Sequence, residues 1–296
     1  MSPKQPQHDG LWAALKTETP LQVVGVINAY SALLAKQAGL SAIYLSGSGV
    51  AVASYGLPDL ALTTLANVLE DVRRISQVTD LPLLVDADTG WGNEQGVAQT
   101  TRQLIAAGAA GMHLEDQVEQ KRCGHRPGKM LVSADQMADR VKAAVDARTQ
   151  AGFVVMARTD AADGEGVDAA VERASRYVEV GADMIFAEAL TELEQYRAFT
   201  QALDVPVLAN LTEFGRTPLF TLDDLRKVGV ALALYPLSGF RAMSAAALHV
   251  YETIHQKGTQ QETVSIMQTR QQLYRVLNYE AYEQQADQQL KEQADE

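Results

Sequence analysis

The chain of 296 residues is 47% apolar and carries 25 Lys and Arg against 37 Asp and Glu, a net charge of −12. Such an apolar share excludes a disordered chain, the length suits one large α/β barrel or two modest domains, and the acidity argues against nucleic-acid and anionic-membrane partners. With no apolar run of about eighteen residues, a polar N-terminus MSPKQPQHDG and one cysteine, Cys123, the sequence predicts a cytoplasmic protein with no membrane span and no secretion signal.

In chain order, eight short apolar runs read as strands: 23–28, 42–47, 82–87, 111–115, 153–158, 183–188, 206–210 and 231–235. They are too apolar to alternate, as expected of parallel strands buried on both faces. Amphipathic stretches separate them, among them LANVLEDVRRISQV, VAQTTRQLIAAG and DAAVERASRYVEVG. Ser133 and Gln136 form a capping box that opens the helix ADQMADRVKAAVDART. Before four strands the helix ends at a glycine, in Ala38-Gly39-Leu40, Ala107-Gly108-Ala109, Val180-Gly181-Ala182 and Val228-Gly229-Val230.

Eight βα units without a linker predict a (β/α)8 TIM-type barrel, one domain over 1–296. A doubly wound open sheet is the rival, but no Gly-rich dinucleotide turn supports it. From about 258 to 296 the chain turns Gln-rich and helical. Leu273, Val276, Leu277 and Tyr279 there offer an apolar face to this barrel or to a neighbouring subunit.

Polar residues collect at the C-terminal ends of the strands, where a barrel keeps its chemistry. Asp86 and Asp88 stand two apart and share a strand face, so they repel unless a cation lies between them; oxygen-only ligands favour Mg2+. Glu115 could be a further ligand through water, or a partner for His113 or Arg158. The loop Lys121-Arg122-Cys123-Gly124-His125-Arg126 surrounds a thiol with basic residues, which predicts a lowered thiol pKa and a catalytic Cys123. Two glycines, Gly124 and Gly128, make that loop a candidate lid. The Ser46-Gly47-Ser48-Gly49 turn offers backbone N–H groups to an anion. Arg158 needs an anion, either Glu188 or a substrate carboxylate, and Arg241 could serve the same ligand.

The segments VDADTGWG, HLEDQ, KRCGHRPGK, VMARTDA, ANLTEFG and YPLSGFRAM together resemble the isocitrate lyase/phosphoenolpyruvate mutase superfamily, and KRCGH resembles its lyase branch. The resemblance runs from about residue 20 to about residue 285. It implies Mg2+, with Mn2+ meeting the same ligand type, held by Asp86 and Asp88, with Asp59 and Glu115 acting through waters. It places a small tricarboxylate against Ser46, Gly47, Ser48, Cys123, Gly124, Arg158, Glu188, Asn210, Leu211, Thr212, Arg241 and Arg270. The implied reaction is retro-aldol cleavage of 2-methylisocitrate to pyruvate and succinate, with isocitrate cleavage or oxaloacetate decarboxylation as rivals. Cys123 is the expected acid, with Lys121 and His125 supporting it, and Tyr44 the candidate base. The resemblance also implies a homotetramer of dimers that exchange C-terminal helices. Ser48, Trp91 and Ala187 depart from the family's usual residues at their positions.

Overall fold

A computed structural model describes residues 10–294. Eight parallel strands close into a barrel in sequential order: β1 (Leu21–Gly25), β2 (Ala42–Leu45), β3 (Leu83–Asp86), β4 (Gly111–Glu115), β5 (Val154–Thr159), β6 (Met184–Ala187), β7 (Val207–Asn210) and β8 (Leu232–Tyr235). Around them lie α1 (Gly10–Thr17), α2 (Ala29–Gln37), the short turn α3 (Gly47–Gly49), α4 (Leu65–Ser76), α5 (Glu94–Ala107), α6 (Ala134–Ala147), α7 (Val167–Glu179), α8 (Leu193–Ala202) and α9 (Leu222–Lys227). The barrel is the fold that the apolar runs predict.

Three expected boundaries need correction by two residues or more, and one of them is the end of the first strand, at Gly25 and not at residue 28. The first strand begins at Leu21, not at residue 23, because Leu21 donates its N–H to Ala231 and pairs with Leu232 to close the barrel. The second strand ends at Leu45, because Ser46 has extended backbone at the start of α3 and Gly47 already belongs to that helical turn. The Ser133–Gln136 capping box is present at the start of α6.

Strand parity divides the core in two. Alternate residues Val23, Ala42, Tyr44, Leu84, Val154, Met156, Met184, Phe186, Leu208 and Leu234 fill the lumen. Their neighbours Ile43, Val85, Met112, Val155, Ile185 and Ala209 pack outward on the helices. Helix α1, which the sequence reading did not assign, joins the lumen cluster through Leu11 and Ala14. It closes the N-terminal end of the barrel, with Leu11 against Gly111. The lumen is therefore a packed core, open to chemistry only at the opposite end.

The chain divides into two compact units, residues 1–240 and 241–296. Helix α10 (Ser238–Lys257) spans the division, followed by α11 (Arg270–Leu277) and α12 (Tyr279–Ala294). Thr269 and Gln272 form a capping box on α11, and Asn278 ends it in the left-handed conformation. Leu273, Leu277 and Tyr279 are exposed, and Tyr274 stacks on Tyr279.

Candidate active site

Toward the C-terminal ends of the strands the lumen row turns polar, as Asp86, His113, Glu115, Arg158 and Asn210, with Glu188 just past β6, all buried. The parity that fills the core with Tyr44, Met156 and Phe186 therefore also aims these polar groups at one point. Arg158 lies over the Phe186 ring, 5.1 Å from its centre, and His113 meets the edge of the same ring.

Asp86 and Asp88 converge. A Cβ placed on Gly47 would lie 3.0 Å from Asp86 Oδ2 and 3.0 Å from Asp88 Oδ1. Gly47 donates its N–H to Asp86 Oδ2 at 3.0 Å, and Asp88 donates its own to Asp86 Oδ1 at 3.0 Å. Burial, opposed by Lys121 and reinforced by Asp86, pushes the Asp88 carboxyl up to about 6. Burial works against Asp86 too, but His113, Lys121 and Arg158 hold it well below the usual carboxylate range. Glu115 is driven well up by burial, and neither of its carboxylate oxygens has a hydrogen-bond partner. Its ion pair is with Arg158 at 3.4 Å, so Arg158 and not His113 is its partner.

These carboxylates fit a hard divalent cation. They are buried, all-oxygen donors, and Lys121 is the close countercharge of Asp88 and of Asp59, its Nζ 2.7 Å from the first and 2.9 Å from the second. Among the described residues no group of three or more His, Cys, Asp or Glu converges as a complete ligand set. Two aspartates with open positions suit an ion that keeps waters and accepts substrate oxygens. Lys121, expected among the basic neighbours of the thiol, is instead turned to the aspartates.

Tyr44 sits on the lumen face, with its hydroxyl 2.9 Å from His113 Nε2 and 3.3 Å from Asp86 Oδ2. Burial and Asp86 push that hydroxyl well above its ordinary value, so it is held as a donor rather than as a resident base. His113, lowered to about 4 chiefly by burial, is neutral beside it.

The loop after β4 folds over the strand ends. Gln117 grips both backbone groups of Arg122, accepting its N–H and donating to its carbonyl, each at 2.9 Å. Cys123, half-buried, borders a cavity of about 500 Å3 with Ser48, Asp59, Leu60, Arg122 and Arg126. Its pKa is raised, contrary to the expectation from its basic neighbours: burial dominates, and Asp59 and Glu188 reinforce it against the His125 N–H and Arg158. The His125 ring turns away from the thiol, with Nε2 2.9 Å from Glu188 and Nδ1 accepting the Arg216 N–H at 3.0 Å. Gly124 has no room for a side chain, since a Cβ would stand 2.3 Å from Arg158 Nη2 and 2.7 Å from Glu188 Cγ.

Arg158 is ringed by acids. Asp160 receives its Nε and Nη2 at 2.9 and 3.0 Å, and Glu188 stands 3.3 Å away. Despite burial, Arg158 and a hydrogen bond from His125 keep Glu188 well below its ordinary value. Asn210 donates to Glu188 at 3.3 and 3.4 Å.

Other expected contacts differ. The Gly47 N–H is committed to Asp86, so it is not a free anion donor. Leu211 gives its N–H to Leu234 at 2.8 Å and packs its side chain in the outer core. Thr212 opens the turn that Gly215 closes on His125. Ser46 is buried at the mouth and Ser48 lines the cavity. Arg241 and Arg270 belong to the second unit, on α10 and at the start of α11, and are exposed. Trp91 donates its indole N–H to the Thr63 carbonyl at 3.1 Å, a contact that Phe cannot make.

Sequence reasoning missed Lys129, Gln117 and Arg216. Lys129 was visible only as the last residue of KRCGHRPGK, and Arg216 left no signal because its backbone does the work.

The phosphoenolpyruvate phosphomutase family profile matches residues 12–255. The chain is 60% identical over 276 residues to the 2-methylisocitrate lyase of Escherichia coli K12, covering 93% of each. It is 45% identical over 259 residues to that of Aeropyrum pernix, covering 88% of this chain and 83% of the relative. The crystal structure of 2,3-dimethylmalate lyase, described as a PEP mutase/isocitrate lyase superfamily member, superposes with a TM-score of 0.88 at 33% identity, over 97% of this chain and 96% of that one. With its eightfold barrel and buried aspartate pair under a Cys-bearing loop, this chain belongs to the phosphoenolpyruvate mutase/isocitrate lyase family.

Proposed function

We propose that the chain is a Mg2+-dependent carbon–carbon lyase that cleaves 2-methylisocitrate to pyruvate and succinate. On this reading it serves the methylcitrate cycle of propionate catabolism, in the cytoplasm, as a homotetramer. The observation that carries the reading is the Cys123 loop, folded over a converging Asp86–Asp88 pair and against the Arg158–Glu188 pair. The relatives' shared name supports the substrate.

Asp86 and Asp88 would hold the ion, with Asp59 and Glu115 reaching it through waters. When bound, it acidifies a coordinated hydroxyl and offsets charge on the emerging keto acid. Tyr44 takes the C2 hydroxyl proton as a relay, passing its own to His113 Nε2, 2.9 Å away. The C2–C3 bond breaks, the C2 oxygen becomes the keto oxygen of pyruvate, and the bond's electron pair moves onto C3 and its carboxylate. Arg158 stands at the pole where that charge gathers. The Cys123 thiol then gives its proton to C3 and completes succinate. A thiol kept protonated by burial suits a donor better than a nucleophile.

The test is pyruvate release from 2-methylisocitrate beside glyoxylate release from isocitrate, with Mg2+, for wild type and Cys123→Ala. Fast pyruvate release that collapses in the variant supports the reading. Dominant glyoxylate release would replace the substrate while keeping the mechanism. If neither product forms, the lyase reading fails and oxaloacetate decarboxylation is the next assay.

A further inference from the structure

One buried cation has no part in that chemistry. Lys129 follows Gly128, whose φ is +79°, and its side chain is 4% exposed. An ammonium so far from water needs strong partners, and Lys129 has two in different parts of the chain. Nζ donates to the Gly124 carbonyl at 2.6 Å and to Asp160 Oδ1 at 3.2 Å. Asp160 in turn takes the bidentate fork of Arg158, and its own N–H is fixed by Asp116 at 2.9 Å.

The loop thus has internal ties, among them Arg122 Nη1 to the Pro127 carbonyl at 3.3 Å. Arg126 donates its N–H to the Cys123 carbonyl at 2.9 Å, and Lys129 reaches back to Gly124. The Lys129 tie continues to the end of β5 through Asp160, beside the loop's other barrel contacts, Lys121 with Asp88 and His125 with Glu188. Gly124 itself lies against Arg158 and Glu188 without space for a methyl group, so the Lys129 tie holds the residue next to the thiol at its closest approach to the charged cluster.

We propose that Lys129 is a positioning residue: by joining the Gly124 carbonyl to Asp160, its ammonium holds the Cys123–Gly124–His125 segment in place over the site and fixes the carboxylate that orients Arg158. The kinetic consequence rests on the lyase reading, whereas the structural one does not. Because Cys123 is the chain's single cysteine, alkylation by iodoacetamide reports on this segment alone.

The experiment compares full-length wild type, Lys129→Met and Lys129→Arg in the presence of Mg2+. Expected for Lys129→Met is Cys123 alkylation about tenfold faster, with the thermal midpoint nearly unchanged, since a released loop opens locally without global unfolding. On 2-methylisocitrate, kcat falls about tenfold or more while KM moves less than about threefold, because what is lost is geometry at the reacting carbon. Lys129→Arg, which keeps the charge, falls between. Alkylation at the wild-type rate overturns the inference whatever the kinetics, and so does fast alkylation with unchanged kcat. If Lys129→Met does not fold, the same two readouts on Lys129→Arg decide. If wild type turns over no substrate, the alkylation rates still decide, so failure of the substrate reading is told apart from failure of this one.

Discussion

The Arg216 backbone N–H donates to Nδ1 of His125 across 3.0 Å, and that contact fixes the state of the imidazole. A backbone N–H can only donate, so Nδ1 is unprotonated and the ring proton sits on Nε2, facing Glu188 at 2.9 Å. His125 therefore donates through Nε2 and orients Glu188. We expect Gly215→Ala to lower kcat about tenfold without touching a reacting group. Its Cβ would stand 2.9 Å from His125 Nδ1 and 2.6 Å from Thr212 Cγ2, prying the ring off its backbone donor. Steady-state kinetics beside a melting curve check this, and unchanged kcat would disprove it.

Gly124→Ala is the sharper steric test. The added methyl would overlap Arg158 Nη2 and Glu188 Cγ, so the loop cannot seat. A loop can swing out without unfolding the barrel. The expectation is a fall in kcat of about a hundredfold with a thermal midpoint within a few degrees of wild type. A large loss of stability would show that the loop is part of the fold and not a lid.

Metal binding should register in stability. Asp86 and Asp88 face each other in a buried site and the Glu115 oxygens accept no hydrogen bond, so a divalent cation removes repulsion in the folded state alone. At about a hundred times its dissociation constant, Mg2+ should add about 2.7 kcal/mol, reversed by EDTA. Asp88→Asn should abolish the shift. Thermal denaturation with and without the ion measures both, and an undiminished shift in the variant would move the site elsewhere.

Acid stability should depend on one surface contact. A hydrogen bond from Arg216 holds the Asp163 carboxyl below its ordinary 3.8. A carboxyl whose folded value is depressed stabilises the fold above its unfolded value, and that contribution disappears as pH falls through the folded one. From neutrality down to about pH 4, Asp163→Asn should therefore show a constant offset from wild type. Below pH 4 the two should converge. Urea midpoints across pH 3–7 test this; a gap that widens on acidification contradicts it.

The eight strands were legible because parallel barrel strands are apolar on both faces, and the strand-end acids because nothing in a core explains them. Asp86, Asp88 and Arg158 needed only position and type to be found. The state of Cys123 was not legible: local sequence shows Arg122 and His125 beside it, but the fold buries the thiol and turns the His125 ring toward Glu188. Lys121 was misread for the same reason, since its partners Asp59 and Asp88 lie far along the chain. Helix α1 escaped notice because it is only eight residues long and its burial depends on a lumen that no local pattern reveals.

One consequence follows from the shared parity of lumen core and site. Deleting a single residue inside β5 would rotate every later side chain of that strand to the opposite face, bringing Ala157 or Thr159 inward and sending Arg158 out among the helices. The same slip would exchange Met156 for a neighbour in the layer below. Reading frame along a strand is thus a joint constraint on packing and chemistry. New activities on this scaffold can arise freely by rewriting the loops, while changes in strand length are open to it only in steps of two.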